Sequence, residues 1–258
     1  MKMFGIKEFI ILFLIFIRIS ATFVSAPVFG SKVIPLLAKL FLALVVSYII
    51  FLTIDTSYLD DVPMGWMLVI FAIKEALTGL TIGFMMQFVF YGISYAGTLI
   101  GFDMGLNTAE VFNPNEEING NVIGEVLYYG ALLVFFLING HHYLISSLKY
   151  SFSVVPVGEF SITQAVHSMI IKSASSVFII AVKIASPIIV SFFLVHIAEG
   201  IISRLIPQMQ VFFVTQPLKI GLGLVILTAV VPIYVYVIKN LLKDYERQLT
   251  ILIQNMSA

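Results

Sequence analysis

Residues 62–102 read VPMGWMLVIFAIKEALTGLTIGFMMQFVFYGISYAGTLIGF, and Lys74 and Glu75 are the only charged residues among them. As one straight helix this stretch measures about 60 Å, twice the roughly 30 Å of a bilayer core. It is therefore either two segments or a helix that leaves the lipid. The flanks favour the first. Segment 55–61 holds Asp55, Asp60 and Asp61, and segment 103–125 holds Asp103, Glu110, Glu116, Glu117 and Glu125, with no Lys or Arg in either. Two acidic flanks on the same, non-cytoplasmic side fit a stretch that dips in and returns.

The rest of the chain has the same character. Of 258 residues 60% are hydrophobic and 11% are charged, with 14 basic and 14 acidic side chains. A soluble domain carries about 25% charged residues. The deficit excludes an ordinary soluble enzyme, a disordered chain and an electrostatic nucleic-acid binder. It predicts an all-α polytopic membrane protein, one membrane domain over 1–258 with six or seven hydrophobic segments. Besides 62–102, the apolar runs are 9–29, 34–54, 126–148, 173–196 and 211–238. Lys2, Lys7 and the small residues Ser25 and Ala26 imitate a secretory signal. Arg18 interrupts that run and Pro27 follows the apparent cleavage point, so 9–29 reads as a retained helix.

Basic residues place Lys32 and Lys39, Lys149 and Lys172, and Lys239, Lys243 and Arg247 on the cytoplasmic side. The C-terminus then lies inside and the N-terminus outside, against the weak pull of Lys2 and Lys7. In 239–258, Leu241, Tyr245, Leu249, Leu252 and Met256 recur at helical spacing between charges. This amphipathic tail suits either the membrane surface or a cytoplasmic partner. A weaker amphipathic stretch covers 159–171, with Ser161 or Thr163 able to cap its start.

Three sets of residues stand out inside the apolar segments. Gly79 and Gly83, and Gly97, Gly101 and Gly105, are spaced four apart and form small-residue stripes for close helix packing, within the chain or between subunits. Pro187, Pro207, Pro217 and Pro232 predict kinked or interrupted helices. Arg18, Lys39, Lys74, Glu75, Lys183, Glu199 and Lys219 are charges within or beside apolar runs. They predict ion pairs between helices or subunits, because an isolated charge in hydrocarbon is costly; the alternative is a proton or ion relay, which no repeated carboxylate ladder accompanies. Lys74 and Glu75 are adjacent, point in different directions on a helix and so find different partners.

The loop 105–120, GLNTAEVFNPNEEING, has Val111 and Phe112 at its centre before the turn-forming Asn113 and Pro114. A purely solvated loop has no need of that apolar pair. It reads as a membrane anchor or as a segment inserted into a cavity. The chain has no cysteine, and His141 and His142 lack the further ligands of a metal site, while His167 and His196 are isolated. No metal, cofactor or catalytic residue is therefore expected. No Gly-rich phosphate loop, nucleophile elbow or paired catalytic carboxylate stands out.

Arg18 with Ser20, Ala26 and Pro27 resembles the opening of the FliR family of type III secretion export-gate proteins. So do Glu75 with Gly79 and Gly83, and the glycine stripe leading to Asn113-Pro114. Gly140-His141-His142 followed by Ser151, Phe152 and Pro156 is similar to its next block. Pro207-Gln208-Met209-Gln210-Val211-Phe212, then Pro217-Leu218-Lys219, is the strongest match. Gln210 departs from the more usual Asn, and Thr215-Gln216 from the usual apolar or glycine residues.

The resemblance spans nearly the whole chain and implies a non-enzymatic subunit of the flagellar export gate in the bacterial inner membrane, at the basal body. It implies kinked helical hairpins within a helical assembly. The implied partners are FliP- and FliQ-like subunits, with an FlhB-like subunit beside them, and the cargo is unfolded flagellar protein. It also implies that the loop 105–120 contributes to a plug, so that Val111, Phe112, Asn113 and Pro114 are the candidates to close the pore. An injectisome homologue fits the same pattern. A small secondary transporter fits the broken helices and membrane carboxylates, but predicts an internal repeat that the sequence does not display. A membrane enzyme using His141-His142 needs further ligands or a carboxylate partner.

Overall fold

The apolar runs all become helices. The computed structural model describes residues 5–27, 29–30, 34–54, 65–106, 121–161, 163–208 and 210–256. Among these residues there are seven helices and no strand: α1 (Ile6–Ser25), α2 (Leu36–Thr53), α3 (Trp66–Asp103), α4 (Val122–Leu137), α5 (Gly140–Val154), α6 (Gln164–Leu205) and α7 (Val211–Gln254). Five of them, α1, α2, α3, α6 and α7, are long and apolar enough to cross a membrane, and α4 with α5 makes a sixth candidate, broken between Leu137 and Gly140. The protein is an all-α integral membrane protein.

Local chemistry sets the helix ends. Ala26 is extended at φ −76° and ψ 150°, the conformation that a following proline favours, and α1 stops there. The Asn121 side chain accepts hydrogen bonds from the Ile123 and Gly124 amides at 3.0 and 3.3 Å, capping α4. Thr163 Oγ1 accepts from the Val166 amide at 3.2 Å and caps α6.

Asn139 divides the run 126–148, read above as one segment. Its φ of 62° lies in the left-handed region, which asparagine tolerates better than most residues, and the helix cannot continue through it.

Three other expectations change. Residues 62–102 do not dip and return: from Trp66 to Asp103 they form one helix of 38 residues. No proline follows Pro63 in this stretch, and its glycines weaken a helix by only about 1 kcal/mol each without breaking it. The acidic segments at its two ends therefore cannot be placed on one side by that argument. The tail 239–258 is not a separate amphipathic element; α7 runs 44 residues to Gln254 without a break. Its apolar side is covered by the chain itself, with Leu242, Tyr245, Leu249, Leu252, Ile253 and Met256 all buried. Finally, Pro187 lies inside α6, and Pro217 and Pro232 inside α7, which continue past them, whereas Pro207 falls in the turn between α6 and α7. Serine hydroxyls help at Pro187. Ser186 Oγ donates to the Lys183 carbonyl, which the missing proline N–H leaves free, at 3.0 Å.

The chain's contacts divide it into two compact units, Met1–Phe88 with Asn139–Ala174 and Leu242–Ala258, and Val89–Ile138 with Ser175–Leu241. In the first, the buried residues of α1 (Ile11, Leu14, Ile15, Ile19, Phe23) share the core with Leu144, Leu148 and Phe152 of α5 and the buried end of α7. The α7 end is also tied down by polar contacts. Tyr143 Oη donates to the Glu246 carbonyl, Thr163 Oγ1 to the Asn255 carbonyl at 2.8 Å, and Gln254 Nε2 to Tyr150 Oη at 3.2 Å. In the second unit Phe90 of α3 meets Tyr128 and Phe135 of α4 edge-on, each with ring centroids 5.8 Å apart. Ala181, Ile184, Ala185, Ile188 and Phe192 supply the buried side of α6.

Candidate functional site

Polar side chains are scarce in these helices, so the places where they converge are the candidates for function. The first is in the unit built on α1 and α5. Arg18 and Glu75 are both fully buried, and the guanidinium holds the carboxylate in two bonds, Nε to Oε2 at 2.6 Å and Nη2 to Oε1 at 3.0 Å. Arg18 also donates to Ser151 Oγ at 3.2 Å and to the Val155 carbonyl at 3.0 Å, and its Cζ lies 4.0 Å over the Phe152 ring. Glu75 accepts a third bond from the Gly158 amide at 2.8 Å. Such satisfaction is what a charge needs away from water, since desolvation otherwise exceeds the Coulomb gain.

Lys74 reaches the same place from the next position on α3: its Nζ donates to the Gly158 carbonyl at 3.0 Å. Gly158 has φ +84°, and a Cβ there would run into the Phe71 ring. Arg18, Lys74 and Glu75 together thus clamp the short connection 155–158 that follows α5.

Glycines allow the helices to come this close. A Cβ on Gly79 would collide with the Arg18 carbonyl, and one on Gly83 would stand 2.7 Å from the Thr22 carbonyl oxygen. Thr22 Oγ1 lies 3.0 Å from both the Arg18 and the Gly79 carbonyls, which share its proton. In the other unit, a Cβ on Gly97 would stand 2.6 Å from the Gly124 nitrogen, and one on Gly101 2.5 Å from Asn121 Cγ. Each of these glycines lies against this chain's own atoms.

The second cluster marks the end of α3, next to the segment 107–120. Gly105 is at φ +75°, and its carbonyl accepts from Gln216 Nε2 at 2.7 Å. Near Gln216, Lys219 pairs with Glu199 at 2.8 Å, and His196 Nδ1 lies 3.3 Å from both of them. Asp103 is within electrostatic reach of His196 and Lys219. A Cβ on Gly223 would stand 2.6 Å from Met104 Cγ, so α7 packs closely on the end of α3 here. Sequence reasoning misses two members: His196 stands isolated in the sequence, and Gln216 reads only as a departure from a family pattern. The spacings His196–Glu199 and Gln216–Lys219, one helical turn each, were the available signal.

Val111, Phe112, Asn113 and Pro114 lie outside the described residues. Lys39 holds an interaction near the start of α2. Lys183 is exposed on α6, and among the described residues no carboxylate pairs with it. His141 and His142 stack at 4.1 Å between centroids, and among the described residues no three His, Cys, Asp or Glu side chains gather where a metal ion could sit.

A buried Arg–Glu clamp joins α1 to α3, glycines allow close helix contacts, and Gln216 holds the end of α3. The family of bacterial export proteins, family 1, matches residues 9–245. The chain belongs to the FliR family. Flagellar biosynthetic protein FliR of Bacillus subtilis (strain 168) is 35% identical over 231 residues, 88% of each chain. The FliR protein of Escherichia coli (strain K12) is 29% identical, covering 84% of this chain and 82% of its own. That of Aquifex aeolicus (strain VF5) is 29% identical over 253 residues, 98% of this chain and 97% of its own. The FliR match contains both polar clusters, Arg18 to Gly158 and Asp103 to Lys219.

Proposed function

We propose that this FliR-family chain is a non-enzymatic subunit of the flagellar type III export gate. In this reading it lies in the inner membrane at the basal body and forms, with FliP- and FliQ-like subunits and beside an FlhB-like one, the path for unfolded flagellar proteins. One observation carries the reading beyond family membership. Exposed apolar side chains run along α6 from Ile171 to Leu205, about 51 Å of helix at 1.5 Å per residue. Tilted by about 40°, the upper end for membrane helices, that surface still projects about 39 Å, against a hydrocarbon core of about 30 Å. Cover of the excess by other protein subunits is the reading this length supports.

A path for unfolded chains must be tight to ions when idle, and apolar side chains close such a path by excluding water. Val111 and Phe112 are assigned that role, on a segment that follows the Gly105 carbonyl held by Gln216. The test has two arms. The tagged chain, isolated from membranes of motile cells, is expected to bring FliP- and FliQ-like subunits with it, and its deletion to abolish flagellar export. Recovery of the chain alone, with export intact in the deletion strain, overturns the reading. Removing residues 111–115 is expected to make cells leak small solutes; unchanged leakage with normal assembly removes the plug assignment.

A further inference from the structure

Between Ser173 and Val195, α6 contains a single ionisable residue, Lys183. Its side chain is exposed, and the residues exposed with it are apolar: Ile179, Val182, Val190 and Phe193 at 54, 55, 63 and 62%. Among the described residues Lys183 has no carboxylate partner. The other charges near mid-segment do: Arg18 has Glu75, and Lys219 has Glu199. A cation on an apolar face at that depth must face a partner charge or water.

A second observation falls at the same point. Pro187 removes the helical donor for the Lys183 carbonyl, and the exposed Ser186 hydroxyl donates to it instead at 3.0 Å. Lys183 Nζ and Ser186 Oγ therefore form a small polar notch in an otherwise apolar stripe. A channel wall exposed to water would be polar along its length, whereas this stripe is apolar on both sides of the notch. Surface of that kind is suited to a packed helix, and the lysine to one acidic group on it.

We propose that the face of α6 around Lys183 is the seat of a transmembrane helix from a neighbouring membrane subunit, which brings an aspartate or glutamate carboxylate to Lys183. The inference rests on the reading that the chain assembles with other membrane subunits. It adds the face, the depth and the charge of the partner.

The test uses the full-length chain in its own membrane. Lys183→Arg is expected to keep assembly, and Lys183→Glu to reduce recovery of the neighbouring subunits at least tenfold. An acid-to-lysine change in a neighbour's membrane helix is expected to restore recovery with Lys183→Glu and not with the native lysine. A photo-crosslinking residue at Val190 is expected to join the chain to that same neighbour. If the native chain recovers its neighbours and Lys183→Glu recovers them equally, the inference fails while the assembly reading stands. Crosslinks at Val190 only to lipid or to exported cargo also overturn it. A native chain that recovers no membrane subunit sinks the assembly reading itself.

Discussion

At the scale of single residues, the Arg18–Glu75 pair shows how a charge survives in an apolar interior. Nε and Nη2 hold Glu75, Nη1 reaches Ser151, Nη2 also reaches Val155, and the flat face of the guanidinium rests on Phe152. Lysine carries a compact ammonium without this fork and cannot reproduce it. Arg18→Met leaves Glu75 buried and unpaired, and is expected to cost about 3–5 kcal/mol. Combining it with Glu75→Met should return most of that loss, because burial of two apolar chains replaces burial of two ions. Thermal unfolding of the detergent-solubilised assembly checks both variants; a double variant as damaged as the single one contradicts the pairing. Lys74→Met should do less harm, since Gly158 keeps its bond to Glu75.

At the scale of helices, left-handed backbone and close approach decide where elements turn and meet. Asn139 at φ 62° separates α4 from α5. Asn139→Ala is expected to cost about 1 kcal/mol or less, because alanine lacks the side-chain amide that helps asparagine tolerate this region, and Asn139→Gly to cost little. Comparison of the two variants by thermal unfolding separates backbone strain from loss of the asparagine side chain. Gly101 packs on Asn121, the residue that caps α4. Gly101→Leu should therefore both overpack the contact, at about 1–3 kcal/mol, and remove the cap, at about 1 kcal/mol, lowering the yield of assembled complex. Normal co-purification of partner subunits with this variant argues against that role. Gln216→Leu is expected to speed hydrogen exchange at Gly105 and Leu106 while leaving the core of α3 protected, because it removes the bond that holds the Gly105 carbonyl.

At the scale of the whole molecule, exposed apolar side chains run far along three helices. α3 is exposed at Trp66 and again at Phe102, α6 from Ile171 to Leu205, and α7 from Phe212 to Tyr236. The chain made without its neighbours is expected to be polydisperse and protease-sensitive in detergent, and to sharpen to one species when made with FliP- and FliQ-like subunits. Size-exclusion chromatography of the two preparations measures this; a monodisperse, resistant chain on its own counts against the need for partners. The same exposed surface gives Lys183 its setting, where the proposed acid of a neighbouring subunit meets it.

The sequence by itself determined the helical class, the apolar runs, Thr163 as one of two candidate caps, and the residue types that had to find polar partners. Those properties are local: hydropathy and cap chemistry depend on neighbours a few positions away. The tertiary structure decided the pairings. Arg18 meets Glu75 across 57 positions and Ser151 across 133, and no periodicity links such distances. It also decided that Trp66–Asp103 is one helix, since loop charges report sidedness but not whether a long apolar run turns back. Gln216 was legible as a residue but not as a tether, because its bond partner is a backbone carbonyl and every residue has one. The burial of the α7 end belongs to the same class: an amphipathic helix has the same sequence whether its apolar side meets lipid, a partner or its own chain, and only the fold chooses.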